Sequence, residues 1–167
     1  MSTKPGVRRA VHATAIPPQR SGEGPSLYPQ KFLERFGDWI GHNVGDHFGL
    51  TQFGAHLEIL PPGAESSLRH WHTHSDELIL LLEGELVLVT DEEGEQVLNP
   101  GMVAGFKAGV ENGHHLVNRS AAAATFFVVG SRVAGDMPVY TADDFQWVRD
   151  EHEVYASRKD GTRYEID

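Results

Sequence analysis

The chain has 167 residues, of which 40% are hydrophobic and 23% charged, enough for one domain that buries roughly 70% of its unfolded surface. It contains no Cys, which excludes disulfides, thiolate zinc sites, iron-sulfur clusters and cysteine nucleophiles, so any metal has to be held by His, Asp or Glu. A formal charge of -10, from 24 acidic against 14 basic residues, argues against nucleic acid and anionic membrane surfaces as partners.

Met1 to Pro25 is rich in Pro, Gly, Ser and Arg without apolar periodicity, and reads as a flexible N-terminal arm over 1–25. It lacks the apolar segment of a secretory signal, so a cytoplasmic protein is expected. Lys31 to Phe36 predicts a short helix stopped by Gly37. From Thr51 the period changes: Phe53, Ala55, Leu57 and Ile59 alternate with Gln52, His56 and Glu58, a half-buried strand ended by Pro61-Pro62-Gly63. His56 and Glu58 share a face of that strand that could line a pocket, with an exposed or interface face as the first expectation. Further strands are predicted around Leu68 to His72, Glu77 to Leu82, Glu85 to Thr90, Gln96 to Leu98, Met102 to Phe106, His114 to Asn118 and Thr125 to Gly130. Turn signals separate them at Glu83-Gly84, Asp91 to Gly94, Asn99 to Gly101, Lys107 to Gly109 and Asn112-Gly113. Short strands at this spacing predict an all-β antiparallel sandwich or barrel with short peripheral helices. Phe53, Phe106, Phe126 and Phe127 are expected in its core. Thr141 to Asp144 reads as a helix start carrying Phe145, Trp147 and Val148, and residues 149–167 as a charged surface tail. The organisation expected is therefore an arm over 1–25, one domain over 26–148 with its barrel at 51–130, and a tail. The longest apolar stretches, Leu78 to Leu82 and Ala121 to Val129, fall far short of the ~20 residues that span a bilayer.

Five of the ten His residues fall in two groups: His70, His72 and His74, then His114 and His115. On a strand, His70 and His72 project side by side with Arg69 and Trp71 opposite, and two neutral imidazoles on one face form half a metal site. His74 has the same spacing from His72, so spacing alone does not choose the pair. A bend over Thr73 to Asp76 lets Glu77 open the next strand facing the same centre. His114, Leu116 and Asn118 share one face of a later strand, which reaches the first only in a closed barrel. There is no Gly-rich phosphate loop, no Ser elbow and no basic patch interleaved with aromatics.

The stretch from His70 to Gly84, His-x-His, four residues, Glu, six residues, Gly, resembles the first motif of the cupin superfamily. Gly101, Gly109, His114 and Asn118 resemble the second, with Lys107 in place of its Pro and the Gly-to-His gap widened to four residues. The resemblance implies a double-stranded β-helix, a jelly-roll-like barrel, and metal ligands at His70, His72, Glu77 and His114. Three His and one Glu hold one divalent first-row metal, Fe, Mn, Ni, Zn, Co or Cu, with positions left open for substrate or water. His74, His115, Asn118 and Phe106 are the candidates for supporting or pocket-lining roles. The family also implies a homodimer and a small-molecule ligand. A small metalloenzyme, a dioxygenase or a sugar or sugar-phosphate isomerase, is the first expectation, and a non-catalytic ligand-binding or sensing module is the alternative, since the fold alone does not decide the chemistry. Arg69, Lys107 and Arg119 are the cations that could meet an anionic substrate.

Overall fold

A computed structural model describes residues 10–21, 23 and 26–166 of the chain. Residues 1–9, and Gly22, Gly24 and Pro25 of the expected arm, lie outside the described residues. In chain order the elements are β1 (Pro18–Arg20), α1 (Gln30–Phe36), β2 (Ile40–Asn43), α2 (Val44–His47), β3 (Phe53–Leu60), β4 (His70–His72), β5 (Glu77–Glu83) and β6 (Leu86–Thr90). There follow β7 (Gly94–Leu98), β8 (Val103–Phe106), β9 (His114–Val117), β10 (Ala124–Ser131), β11 (Pro138–Tyr140), β12 (Gln146–Arg149) and β13 (Val154–Ser157). All pairings are antiparallel, in one sheet of order β1-β2-β3-β10-β5-β8, a second of order β11-β4-β9-β6-β7, and a β12-β13 hairpin. The two large sheets face each other as a jelly-roll barrel. No helix among the described residues is long and apolar enough to cross a membrane.

The period of two explains how this barrel makes both a core and a site. On β5 the inward residues run Glu77, Ile79, Leu81, and on β9 they run His114, Leu116. On β3 they run His56, Glu58, Leu60. Their apolar ends meet in one cluster of Leu60, Ile79, Leu81, Leu86, Leu116 and Phe126, while their polar ends converge at the other end of the barrel. One strand face thus grades from packed core to functional surface within four residues.

β3 corrects the expectation for its polar face: His56 and Glu58 point into the barrel. The opposite face is covered too, with Ala55 and Leu57 buried. α2 lies against it so closely that a Cβ on Gly45 would approach the Ala55 nitrogen to 3.0 Å. Of the four Phe expected in the core, Phe126 is buried there and Phe106 packs on its margin, whereas Phe53 is 39% exposed and Phe127 lies half-buried on the outer face.

The expected helix after Thr141 is instead the strand β12. A capping box needs a carboxylate free to turn back to the helix start, but here Asp143 Oδ1 accepts from Arg35 at 2.6 Å and Asp144 Oδ1 accepts from the Lys159 N-H at 2.8 Å. Phe145 is fully buried in an aromatic cluster with Tyr28, Phe32, Tyr140, Trp147 and Tyr164. Residues expected as a surface tail contribute β13, with Ala156, Ser157 and Tyr164 buried. Arg35 of α1 ties these layers together, donating to Glu65 at 2.7 Å as well as to Asp143. Burial alone raises the Glu65 carboxyl, but hydrogen bonds from His115 and Arg35 outweigh it and hold the group at about 2. In the arm, β1 pairs with β2, and the buried His42 bonds the Ile16 carbonyl at 2.7 Å.

Candidate functional site

β4 and β9 lie side by side with His70 directly opposite His114, and Glu77 enters from β5 in the other sheet. Ligand atoms of His70, Glu77 and His114 all lie within 4.8 Å of one another. His114 Nε2 is 3.3 Å from Glu77 Oε1, and His72 Nε2 is 3.2 Å from His70 Nε2. Thr73 to Asp76 makes the bend that the parity of Glu77 requires.

Hydrogen bonding fixes what these rings present. His70 Nδ1-H donates to the Leu68 carbonyl at 2.8 Å, and His72 Nδ1-H donates to Asp136 Oδ2 at 2.7 Å. Both Nε2 atoms are left as lone pairs on that assignment. Two lone pairs facing each other across 3.2 Å repel unless a cation or proton sits between them. Burial, reinforced by His114, lowers the His70 pKa and keeps the ring neutral. Burial would raise the Glu77 carboxyl, but the His114 hydrogen bond and charge hold it below the usual carboxylate value, hence ionised. His114 Nδ1 is buried without a hydrogen-bond partner among the described residues. A neutral His70 ring, an ionised Glu77 carboxylate and the neighbouring His72 and His114 rings make the kind of nitrogen and oxygen donor set that a divalent first-row ion takes, so the residues fit a metal.

The supporting candidates separate. Phe106 stacks on the His114 ring, centroids 3.5 Å apart and planes 3° from parallel, and fixes its orientation. The His74 ring is exposed and bonded to Thr73, while its backbone N-H donates to Asp136 Oδ1 at 2.8 Å. His115 faces away from the triad, bonded to the Ser67 carbonyl at 3.1 Å. Asn118, fully buried, clamps a turn by donating to the Leu60 and Ala122 carbonyls, each at 2.8 Å. Asp136, in the loop after β10, is the partner of the His72 ring that sequence reasoning missed. It lies 64 residues from His72 and no local pattern marks it. It collects the His72 ring and the backbone N-H groups of His74 and Ser75. Burial raises its carboxyl, and these donors outweigh that to hold it at about 2.

Three cavities meet at Glu77. The first, about 200 Å³, is lined by Trp39, Glu58, Ser66, Ser67, His70 and Glu77, among others. The second, also about 200 Å³, brings Lys107 and Phe106 beside His72, Glu77 and His114. The third, about 290 Å³, includes His56, Arg132 and Asp136. Of the three cations expected to meet an anion, Arg69 is paired with Asp91 at 3.0 Å and Arg119 with Glu95, while Lys107 lines the second cavity. Glu58, for which a pocket was the second expectation, lines the first cavity, and burial pushes its carboxyl up to about 8.

The family described as the cupin domain matches residues 56–130. No curated protein matches the sequence. Among solved structures, one described as a sugar phosphate isomerase from a cupin superfamily, from Silicibacter pomeroyi, is 38% identical, with a TM-score of 0.82 over 93% of this chain and 96% of that one. A candidate sugar phosphate isomerase from Acidithiobacillus ferrooxidans is 25% identical, with a TM-score of 0.66 over 78% of this chain and 82% of that one. A polyketide cyclase from Streptomyces resistomycificus, 19% identical with a TM-score of 0.61 over 81% of this chain and 88% of that one, shares the fold. The inward-facing histidines and glutamate of the barrel mouth and a 38% identical relative along nearly the whole chain lead to one assignment: this protein belongs to the cupin superfamily.

Proposed function

We propose that the chain is a metal-dependent isomerase of a small sugar phosphate, with His70, His72, Glu77 and His114 holding one divalent first-row ion. The observation that carries the reading is the convergence of His70, Glu77 and His114 between two cavities of different chemistry. One has a cation, Lys107, for the anionic end of a substrate, and the other has a carboxyl, Glu58. Of the two enzyme chemistries expected from the sequence, isomerisation is the better supported, because the 38% identical structure carries that description. A bound ion supplies Lewis acidity to a substrate oxygen. The chain's own residues orient the ligands: Asp136 fixes His72, the Leu68 carbonyl fixes His70, and the Phe106 ring fixes His114. We also propose a homodimer, formed through the outer face of the six-stranded sheet.

The test is elemental analysis of tag-free protein, beside alanine variants at His70, His72, Glu77 and His114, followed by turnover assays on pentose and hexose phosphates. About one equivalent of a first-row metal is expected in the wild type. In His72→Ala, occupancy and melting temperature should fall together, because ligation energy adds to folding energy. Protein that takes up no metal after reconstitution overturns the site. A metal-loaded protein that binds sugar phosphates without turning them over supports the ligand-binding module instead.

A further inference from the structure

We propose that Glu58 is the catalytic acid-base residue of this site, moving a proton between adjacent carbons of the substrate; the inference rests on the isomerase reading. The geometry comes from β3, whose inward row places Glu58 between His56 and the core residue Leu60. Its carboxyl borders the same cavity as His70 and Glu77, so a substrate oxygen at the ligand cluster leaves the neighbouring carbons in the space toward Glu58. The carboxyl sits against Gly41 on β2, its register partner. A Cβ there would come within 3.0 and 3.1 Å of the two carboxyl oxygens and 2.5 Å of the Trp39 ring, so glycine at 41 leaves the carboxyl its place.

A structural carboxylate in such a wall would be hydrogen-bonded or paired, since burying one without a partner is costly. Glu65 and Asp136 show that pattern in this same protein. Among the described residues Glu58 does not: burial is the cause of its raised pKa, with no neighbouring charge opposing it. The groups facing it are His70 from β4 and Glu77 from β5, with His56 on its own strand; β2 brings Gly41 and β10 brings Phe126 and Val128, none of them charged. A carboxylate of raised pKa is a stronger base than an ordinary one and works best near the pH at which it titrates.

In an aldose-ketose interconversion the Glu58 carboxylate takes the proton from the carbon beside the carbonyl. That C-H bond breaks, its electron pair forms the C=C bond of an enediolate, and the carbonyl π pair moves onto oxygen. The hydroxyl proton passes between the two adjacent oxygens. The Glu58 carboxylic acid then returns its proton to the former carbonyl carbon as the second oxygen forms the new C=O bond. No oxidant, reductant or co-reactant is consumed.

The experiment uses metal-loaded wild type, Glu58→Gln and Glu58→Asp with glucose 6-phosphate, fructose 6-phosphate and ribose 5-phosphate in D2O. Deuterium entering the substrate C-H positions is read by NMR, and sugar-phosphate affinity and metal content are measured on the same samples. Glu58→Gln should keep its metal and bind within about threefold of wild type while exchange drops by ~100-fold or more, the range a general base contributes. Glu58→Asp, which keeps the charge, should recover part of it. Exchange in Glu58→Gln equal to wild type overturns the role of Glu58 and leaves the isomerase reading standing. Loss of metal in both variants overturns it in favour of a structural role. Turnover in metal-loaded wild type with no deuterium entering the substrate overturns the role of Glu58 and leaves the isomerase reading standing, and absence of both turnover and exchange overturns both.

Discussion

Asp136 shows how one side chain outside the proposed ligand set orients one of its members. Its carboxylate accepts from the His72 ring at 2.7 Å and from the His74 N-H at 2.8 Å, so the bend that carries Glu77 inward and the tautomer of His72 depend on the same group. Replacing Asp136 with Asn keeps the shape but offers one acceptor oxygen in place of two, and Ala removes both. Metal affinity is expected to fall by about 10- to 100-fold in Asp136→Ala, the usual effect of losing such a partner, with Asp136→Asn between it and wild type. Competition with a chelator of known affinity measures this. An affinity unchanged in Asp136→Ala would show that His72 orients without it. Phe106 makes a contrasting residue-scale contribution, since its contact with His114 is a stacked face rather than a hydrogen bond.

At the scale of elements, turns set how closely strands approach. Gly84, between β5 and β6, has φ of +83°, and a Cβ there would meet the Ala124 Cα at 2.8 Å and the Ala123 oxygen at 2.9 Å. Gly94 has φ of +77°, and a Cβ there would find nothing within 4 Å. Gly94→Ala should therefore cost about 1 kcal/mol of backbone strain alone, and Gly84→Ala on the order of 3 kcal/mol, because β10 must also move. Paired denaturant titrations decide it, and equal losses would remove the close-approach argument. Both turns were legible in the sequence, as were the strands of the barrel from Thr51 to Gly130, because period-two alternation and Gly-containing turns are local signals. His70, His72, Glu77 and His114 were legible as a set through their resemblance to the family's motifs, and of these the structure brings the ligand atoms of His70, Glu77 and His114 within 4.8 Å of one another. Glu58 was legible only as the second of two readings of its strand face, since alternation alone does not say that on a closed barrel the polar face turns inward and the apolar face is covered by α2. β12 reads as a helix in the sequence because the carboxylates of the apparent capping box are captured by Arg35 and the Lys159 N-H, groups distant in sequence.

For the whole molecule, alternation on β5 has an outward consequence that mirrors the inward one. Ile79 and Leu81 fill the barrel, so Leu78 and Leu82 must face out, where they are 47% and 46% exposed. β8 pairs beside them, with Leu80 opposite Val103, which is 63% exposed, and Phe127 on β10 stands opposite Leu80 on the other side. Apolar side chains of three adjacent strands therefore form one flat patch on a chain of formal charge -10, and a contiguous apolar patch facing water marks an interface. A second copy meeting it face to face about a twofold axis brings apolar against apolar and keeps the acidic surface in water. The wild type is expected to sediment as a dimer at micromolar concentration, and the double variant Leu78→Glu, Val103→Glu as a monomer. Because both side chains point away from the ligand cluster, the variant should keep its metal, which separates loss of the interface from collapse of the barrel. A wild type that sediments as a monomer, or a double variant that stays dimeric, would place the interface elsewhere or remove it.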